Sequence, residues 1–221
     1  MLIVLFFIIF ILYAFYASYS ILHMTTKIYI DDAYNLAETG DIIYFRWNTV
    51  AFEHELISPF THIGIVVVKS NGNKYILETH LSGDTNDIGI YKGGVNIYPL
   101  KLRLNSYRGH KFISKLSNFA RPSHKDIQDF ITKIDDYKNN IPFHDDYKGY
   151  FINNCLKNRI FNSELQNKQG MFCSEFIGYC LTQLNITNDD FNFKCLVPGD
   201  FRFIKLDNKL LYDKNNLIKI N

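Results

Sequence analysis

One cysteine and one histidine in this chain sit where they could act together on a carbonyl. Cys173 lies at the mouth of the stretch Gly170 to Leu184, GMFCSEFIGYCLTQL. There Phe172, Phe176, Ile177, Cys180, Leu181 and Leu184 recur at spacings of three and four, which predicts a helix with one apolar face; Gly170 breaks the chain just before it. Cys173 then falls in the first turn, where free N–H groups and the positive end of the helix dipole favour a thiolate over a thiol. A thiolate nucleophile works best beside a basic imidazole, and the imidazole needs a third polar group to fix its tautomer. His62 opens the apolar run HIGIVVV, and Glu78 lies near the end of the next run, KYILETH. Paired strands lie about 4.8 Å apart, so Glu78 can face His62 across a ladder. His80 shares the face of Glu78 by the period of two and is either a rival base or a supporting residue.

Each residue also has a plainer reading. Free cysteine is among the most buried residue types, so Cys173 could be a small core residue. His62 could be a solvated strand end and Glu78 an exposed acid. His23, His54, His110, His124 and His144 fall in loop, connector or helix-start contexts and read as surface residues. Cys155, Cys180 and Cys195 read as core or surface thiols. Cys173 and Cys180, seven apart on one helix, would have Cα atoms about 10.5 Å apart, too far for a bridge. No C-x-x-C or H-x-x-x-H pair occurs, so neither a metal nor another cofactor is expected.

Positioning these residues calls for a sheet and a helix. Gly40 and Asp41 turn into a strand over Ile42 to Arg46, and the β-branched run His62 to Val68 predicts a strand buried on both faces. Asn71, Gly72 and Asn73 turn that strand into Lys74 to His80 as a hairpin. Leu81 to Gly94 reads as a surface loop, followed by strands over Val95 to Leu100 and His110 to Leu116. The sheet is expected to be antiparallel. Ser123 is the expected N-cap of a helix ending near Asn139, with Asp126 three residues on and Ile127, Phe130, Ile131 and Ile134 as its stripe. Phe143 to Phe161 is assigned a further helix over the sheet, and Phe201 to Ile204 a late strand paired with Lys209 to Tyr212.

The 221 residues suit one domain with a proper core. Net charge is +2, from 24 basic and 22 acidic residues, with no block of like charge. No extended basic face is on offer, so nucleic acid is not an expected partner. Leu2 to Leu22 carries no charge and, at about 1.5 Å per residue, is long enough to cross about 30 Å of hydrocarbon. It reads as a retained single-pass N-terminal transmembrane anchor in preference to a cleaved signal peptide, since a basic n-region is missing and Ala17, Ser18 and Tyr19 fit a cleavage site poorly. The expected organisation is an anchor over 1–24, a connector or short helix over 25–39, and one α+β domain over 40–221. Lys27 alone near the span leaves its orientation open.

In order, Gly40-Asp41-Ile42, His62-Ile63-Gly64-Ile65, Leu77-Glu78 and Phe172-Cys173-Ser174-Glu175-Phe176 resemble the motifs of the circularly permuted papain-like hydrolases. These are NlpC-related thiol enzymes, in particular the YiiX-like group and its poxvirus relatives, and the likeness runs over Gly40 to Phe203. It implies a permuted papain-like fold in which an antiparallel sheet packs on helices and the base precedes the nucleophile. It also implies Cys173 as nucleophile, His62 as base, Glu78 as the group that orients it, and the backbone N–H of Cys173 as part of an oxyanion hole, with Asp41 in a structural turn. The expected activity is a membrane-anchored cysteine hydrolase of amidase or peptidase type, acting on peptide or isopeptide amides through an acyl-enzyme. A lipid acyl hydrolase or acyltransferase of the same fold is the first alternative, and an inactive binding or structural membrane protein the second.

Overall fold

The computed structural model describes residues 12, 26–47, 58–80, 85–86, 89–90, 93–142, 170–188 and 191–221. The described elements follow the chain as strand β1 (Lys27–Ile28), helix α1 (Ile30–Leu36), and strands β2 (Ile42–Arg46), β3 (His62–Val68) and β4 (Lys74–His80). Next come a two-stranded hairpin, β5 (Thr85–Asn86) and β6 (Gly89–Ile90), within the expected surface loop, then β7 (Gly94–Pro99), α2 (Leu100–Ser106) and β8 (His110–Leu116). Helices α3 (His124–Thr132), α4 (Ile134–Asn140) and α5 (Cys173–Gln183) follow, and the short pair β9 (Lys205–Leu206) and β10 (Lys209–Leu210) leads to β11 (Tyr212–Ile220).

Seven strands form one sheet in the order β1-β11-β8-β2-β3-β4-β7. Its pairings are antiparallel except for β1 with β11. The fold is therefore mixed α+β on a mostly antiparallel sheet. The central strands read as near-continuous apolar runs because helices cover both faces: all five residues of β2 are buried. On one face Tyr44, Ile63, Ile65, Leu77 and Phe112 pack against Phe176, Ile177, Cys180 and Leu181 of α5 and against Phe130 and Tyr137 of α3 and α4. On the other, Ile43, Phe45, Val66, Ile76 and Ile113 pack against Ala33 of α1 and Leu100 and Leu104 of α2. The segment expected as a connector thus adds one strand and one helix to the second core.

Several expectations are corrected. Among the described residues no helix is long and apolar enough to cross a membrane. The longest of them, α5, has 11 residues and spans about 16 Å, half the thickness that a bilayer demands. The N-terminal transmembrane helix and the single-pass membrane localisation are withdrawn on that finding; of Leu2 to Leu22 only Leu12 lies among the described residues. The helix expected from Ser123 to Asn139 is two helices, broken at Lys133, whose φ of −91° and ψ of −7° end α3 and precede α4. Its start is as expected, with Ser123 and Asp126 in a reciprocal capping box. The late strand at Phe201 to Ile204 is instead a 3₁₀ helix over Pro198–Phe203, and Tyr212 opens the long strand β11. Cys195 is disulfide-bonded, not a free thiol, whereas Cys173 and Cys180 are free. The helix expected within Phe143 to Phe161 lies outside the described residues.

The turn into β2 is an electrostatic hub. Asp41, with no exposed surface, accepts from Leu116 N–H at 3.0 Å, Glu38 N–H at 2.8 Å, Lys115 Nζ at 2.6 Å and Arg121 Nη1 at 2.8 Å. Gly40 precedes it at φ +91°, and a Cβ there would come within 2.7 Å of Leu116 Cδ2, so both backbone freedom and space require glycine. The hub ties β2, β8 and the chain after β8 together at the end of the sheet remote from His62.

Candidate functional site

Period-two alternation puts His62, Glu78 and His80 on one face of the sheet, beside the core that α1 and α2 cover. Gly64 belongs to the same face. A Cβ on it would meet Ile76 Cδ1 at 2.6 Å and Glu78 Cγ at 2.8 Å, so its bare backbone is what lets the Glu78 side chain lie flat across β3 toward His62. His62 Nε2 is 2.7 Å from Glu78 Oε2. Helix α5 packs on the opposite face, and its first residue, Cys173, reaches the open end of β3, near enough to the His62 ring to help raise its pKa. Three residues far apart in sequence, from β3, β4 and α5, are thus brought together at the one end of the sheet where its two faces meet.

Local sequence explains the helix mouth. Phe172, the N-cap, is extended (φ −76°, ψ 165°) and makes no side-chain cap hydrogen bond. Its own N–H donates to Glu175 Oε2 at 3.1 Å, half of a capping box. A phenylalanine has no side-chain acceptor, so the cap satisfies none of the first-turn N–H groups. Cys173 is partly exposed while Cys180, two turns further along the same face, is sealed in the core, and burial pushes the Cys180 thiol well above its ordinary pKa. Only the first of the two is placed for nucleophilic attack.

The electrostatics follow from who surrounds Glu78. Burial opposes its charge, but the Arg103 guanidinium and the hydrogen bonds of His62 and His80 overcome that penalty and hold the carboxyl well below its usual pKa. Burial likewise opposes a charge on His62. Its interactions with Cys173 and Glu78, with the carboxylate's charge, outweigh burial and push the ring up to about 9. His80 goes the other way, down to about 4, because burial and the His62 charge outweigh its attraction to Glu78. Its Nε2 is 3.0 Å from Glu78 Oε2, and its ring lies 4.5 Å from that of His62. The two histidines that sequence left as rivals are thereby separated: one ring is charged and shared with the thiol, the other is neutral and supports the carboxylate.

A distant fold neighbour exists. The crystal structure of metalloprotein yiiX from Escherichia coli O157:H7 is similar to this chain with a TM-score of 0.42 at 17% identity, covering 66% of this chain and 66% of that one. The chain therefore spans just under two thirds of that structure's length. A likeness this weak assigns neither a family to the chain nor a role to any residue. No protein-family model matches the chain, and no curated protein matches it.

Arg103 is the site residue that sequence reasoning missed. It is 2% exposed, donates from Nε to Glu78 Oε1 at 2.8 Å and from Nη2 to Oε2 at 3.1 Å, and lies 4.4 Å over the Phe45 ring. In sequence it is one base in LKLRLNS, indistinguishable from a solvated helix position. The only hint is the flanking Leu100, Leu102 and Leu104. His62, Glu78 and His80 also bring three ligand-type atoms within 4.8 Å of one another. Both oxygens of Glu78 already accept from Arg103, however, and a divalent ion there would face a guanidinium, so this donor set fits proton handling better than metal binding.

Proposed function

We propose that the chain is a cysteine hydrolase of amidase or peptidase type that works through an acyl-enzyme on Cys173, with His62 as acid and base and Glu78 as its orienting partner. The observation that carries this reading is that one half-buried imidazole is 2.7 Å from the Glu78 carboxylate and lies near enough to the thiol at a helix start for that thiol to help raise its pKa. With Nε2 given to the carboxylate, Nδ1 is the nitrogen left to exchange a proton with sulfur. Cys173 Sγ adds to the amide carbonyl carbon while its proton resides on His62. The C–N bond then breaks as His62 returns that proton to the leaving nitrogen, giving a thioester. Water adds next, losing a proton to His62, and the C–S bond breaks with the proton going back to sulfur. Donors at the α5 mouth, the Cys173 N–H among them, suit the oxygen on which charge develops.

The lipid acyl reading drew on a bilayer beside the domain, and with that anchor withdrawn no observation favours it over amides. The test is covalent labelling of the full chain by an electrophilic probe across pH, compared with Cys173→Ala, Cys180→Ala and His62→Ala, alongside turnover of amide-linked peptide libraries and of labelled phospholipid. The reading expects labelling at Cys173 alone, slowed by His62→Ala and untouched by Cys180→Ala, with turnover of amides. Labelling that ignores His62, or turnover of phospholipid only, refutes it.

A further inference from the structure

We propose that Arg103 is a positioning residue for the Cys173–His62–Glu78 group: its forked contact with both oxygens of Glu78 keeps that carboxyl an oriented anion that can only accept, and so fixes which nitrogen of His62 carries the hydrogen in the neutral ring. The proposal rests on the reading of His62 as the base and adds what makes that base competent. A carboxyl with no exposed surface and no cation beside it would keep its proton. A protonated Glu78 could donate to His62 Nε2. The ring hydrogen would then sit on Nδ1, pointing at Cys173, and the imidazole could not take the thiol proton; an aligned triad with the wrong tautomer is a poor catalyst.

The geometry bears on fork as well as charge. Arg103 Nε and Nη2 make two bonds to the two oxygens, at 2.8 and 3.1 Å, which block rotation of the carboxylate as a lysine point charge would not. The guanidinium is itself seated, 4.4 Å over Phe45 and 5.2 Å over Tyr107, on α2, whose Leu100 and Leu104 are fully buried. It is thus held by the core opposite to the one that carries Cys173. The groups facing Glu78 are Arg103 from α2, His62 from β3, His80 on β4 itself and Asn96 across the β7 pairing, with Cys173 of α5 acting through His62. Arg103 contacts both oxygens, whereas His62 and His80 lie against Oε2.

The test uses the full chain with Arg103→Met and Arg103→Lys, each also made in a Cys173→Ala background. Nitrogen NMR of the His62 ring in that background reads tautomer and charge without any activity. A chloroacetamide probe reads the labelling rate of Cys173 from about pH 5 to about pH 9. Arg103→Met is expected to label about 100-fold more slowly at neutral pH, the low end of what a placed base contributes, with its acid limb moved to higher pH and the neutral ring protonated on Nδ1. Arg103→Lys is expected to keep the acid limb and lose about tenfold in rate, because it restores charge without the fork. A wild-type tautomer and an unmoved acid limb in Arg103→Met overturn the proposal, even if stability falls, since a mere brace would do the same. If Arg103→Met does not fold, a wild-type rate and tautomer in Arg103→Lys overturn it. Labelling of the unaltered protein that ignores His62 would sink the hydrolase reading instead, while the tautomer in the Cys173→Ala background would still decide the role of Arg103.

Discussion

Replacing Glu78 by glutamine keeps the shape of the side chain and removes its charge, and the surroundings set the size of the effect. Arg103 and Glu78 are 2% and 0% exposed, and breaking a buried pair by removing one partner costs about 3–5 kcal/mol. Against a typical total of about 5–15 kcal/mol, Glu78→Gln should still fold in dilute denaturant. The loss should depend on pH. His62 is pushed up to about 9 from 6.5, so its ionic stabilisation is fully present below pH 6.5 and is lost as pH rises through 9. Glu78 is held well below 4.5, so its contribution is present above 4.5 and is lost as pH falls through the lowered value. The stability gap between the unaltered protein and Glu78→Gln should therefore be widest from about pH 4.5 to 6.5 and should narrow toward pH 9. The ceiling on that narrowing is about 3 kcal/mol, since one pKa unit is about 1.4 kcal/mol and Cys173 shares in raising the ring. Urea unfolding of both proteins at matched m-values, at intervals across this range, measures it. A gap under about 1 kcal/mol, or one that stays flat up to pH 9, would show that His62 draws no charge stabilisation from Glu78 and would refute the electrostatic account.

Gly64→Ala should cost about 1–3 kcal/mol by overpacking against Ile76 and should slow labelling of Cys173 in the folded fraction, because the new methyl displaces Glu78; denaturant unfolding and probe kinetics read the two effects separately. Asp41→Asn should cost about 1–3 kcal/mol by removing the buried charge that Lys115 and Arg121 share and turning an amide N–H₂ toward one of them, with Glu38 left as their remaining carboxylate, yet its folded fraction should keep the wild-type pH profile of labelling, since the hub lies at the far end of the sheet. Dialysis against a chelator should leave the labelling rate of Cys173 unchanged, and a fall on metal removal would favour a metal at His62, Glu78 and His80 over proton handling.

Most of the sheet was legible because its central strands are uninterrupted apolar runs bounded by turns: His62 to Val68 and Lys74 to His80 have the bounds that alternation and the Asn71-Gly72-Asn73 turn set. The helix behind Cys173 was legible from its apolar spacing, and strand geometry allowed Glu78 to reach His62 without excluding an exposed acid. What sequence could not supply was tertiary. Nothing local distinguishes Arg103 from an exposed base, or decides between His62 and His80, since both depend on which charges the fold stacks around Glu78. The break at Lys133 was hidden because Ile131 and Ile134 continue the stripe across it. The fully apolar start of the chain satisfies a length rule for spanning helices, but no helix among the described residues is long and apolar enough to meet it.

The proposed nucleophile and base hang from different scaffolds. Cys173 is carried by the helix layer on one side of the sheet, whereas His62, Glu78 and Arg103 belong to the layer on the other, and they touch only where the sheet stops. Loosening either layer should therefore uncouple the reacting atoms before the strands themselves come apart. Warmed slowly, the protein should fall silent while its backbone is still whole, so that loss of turnover reports on the alignment of two halves and not on melting.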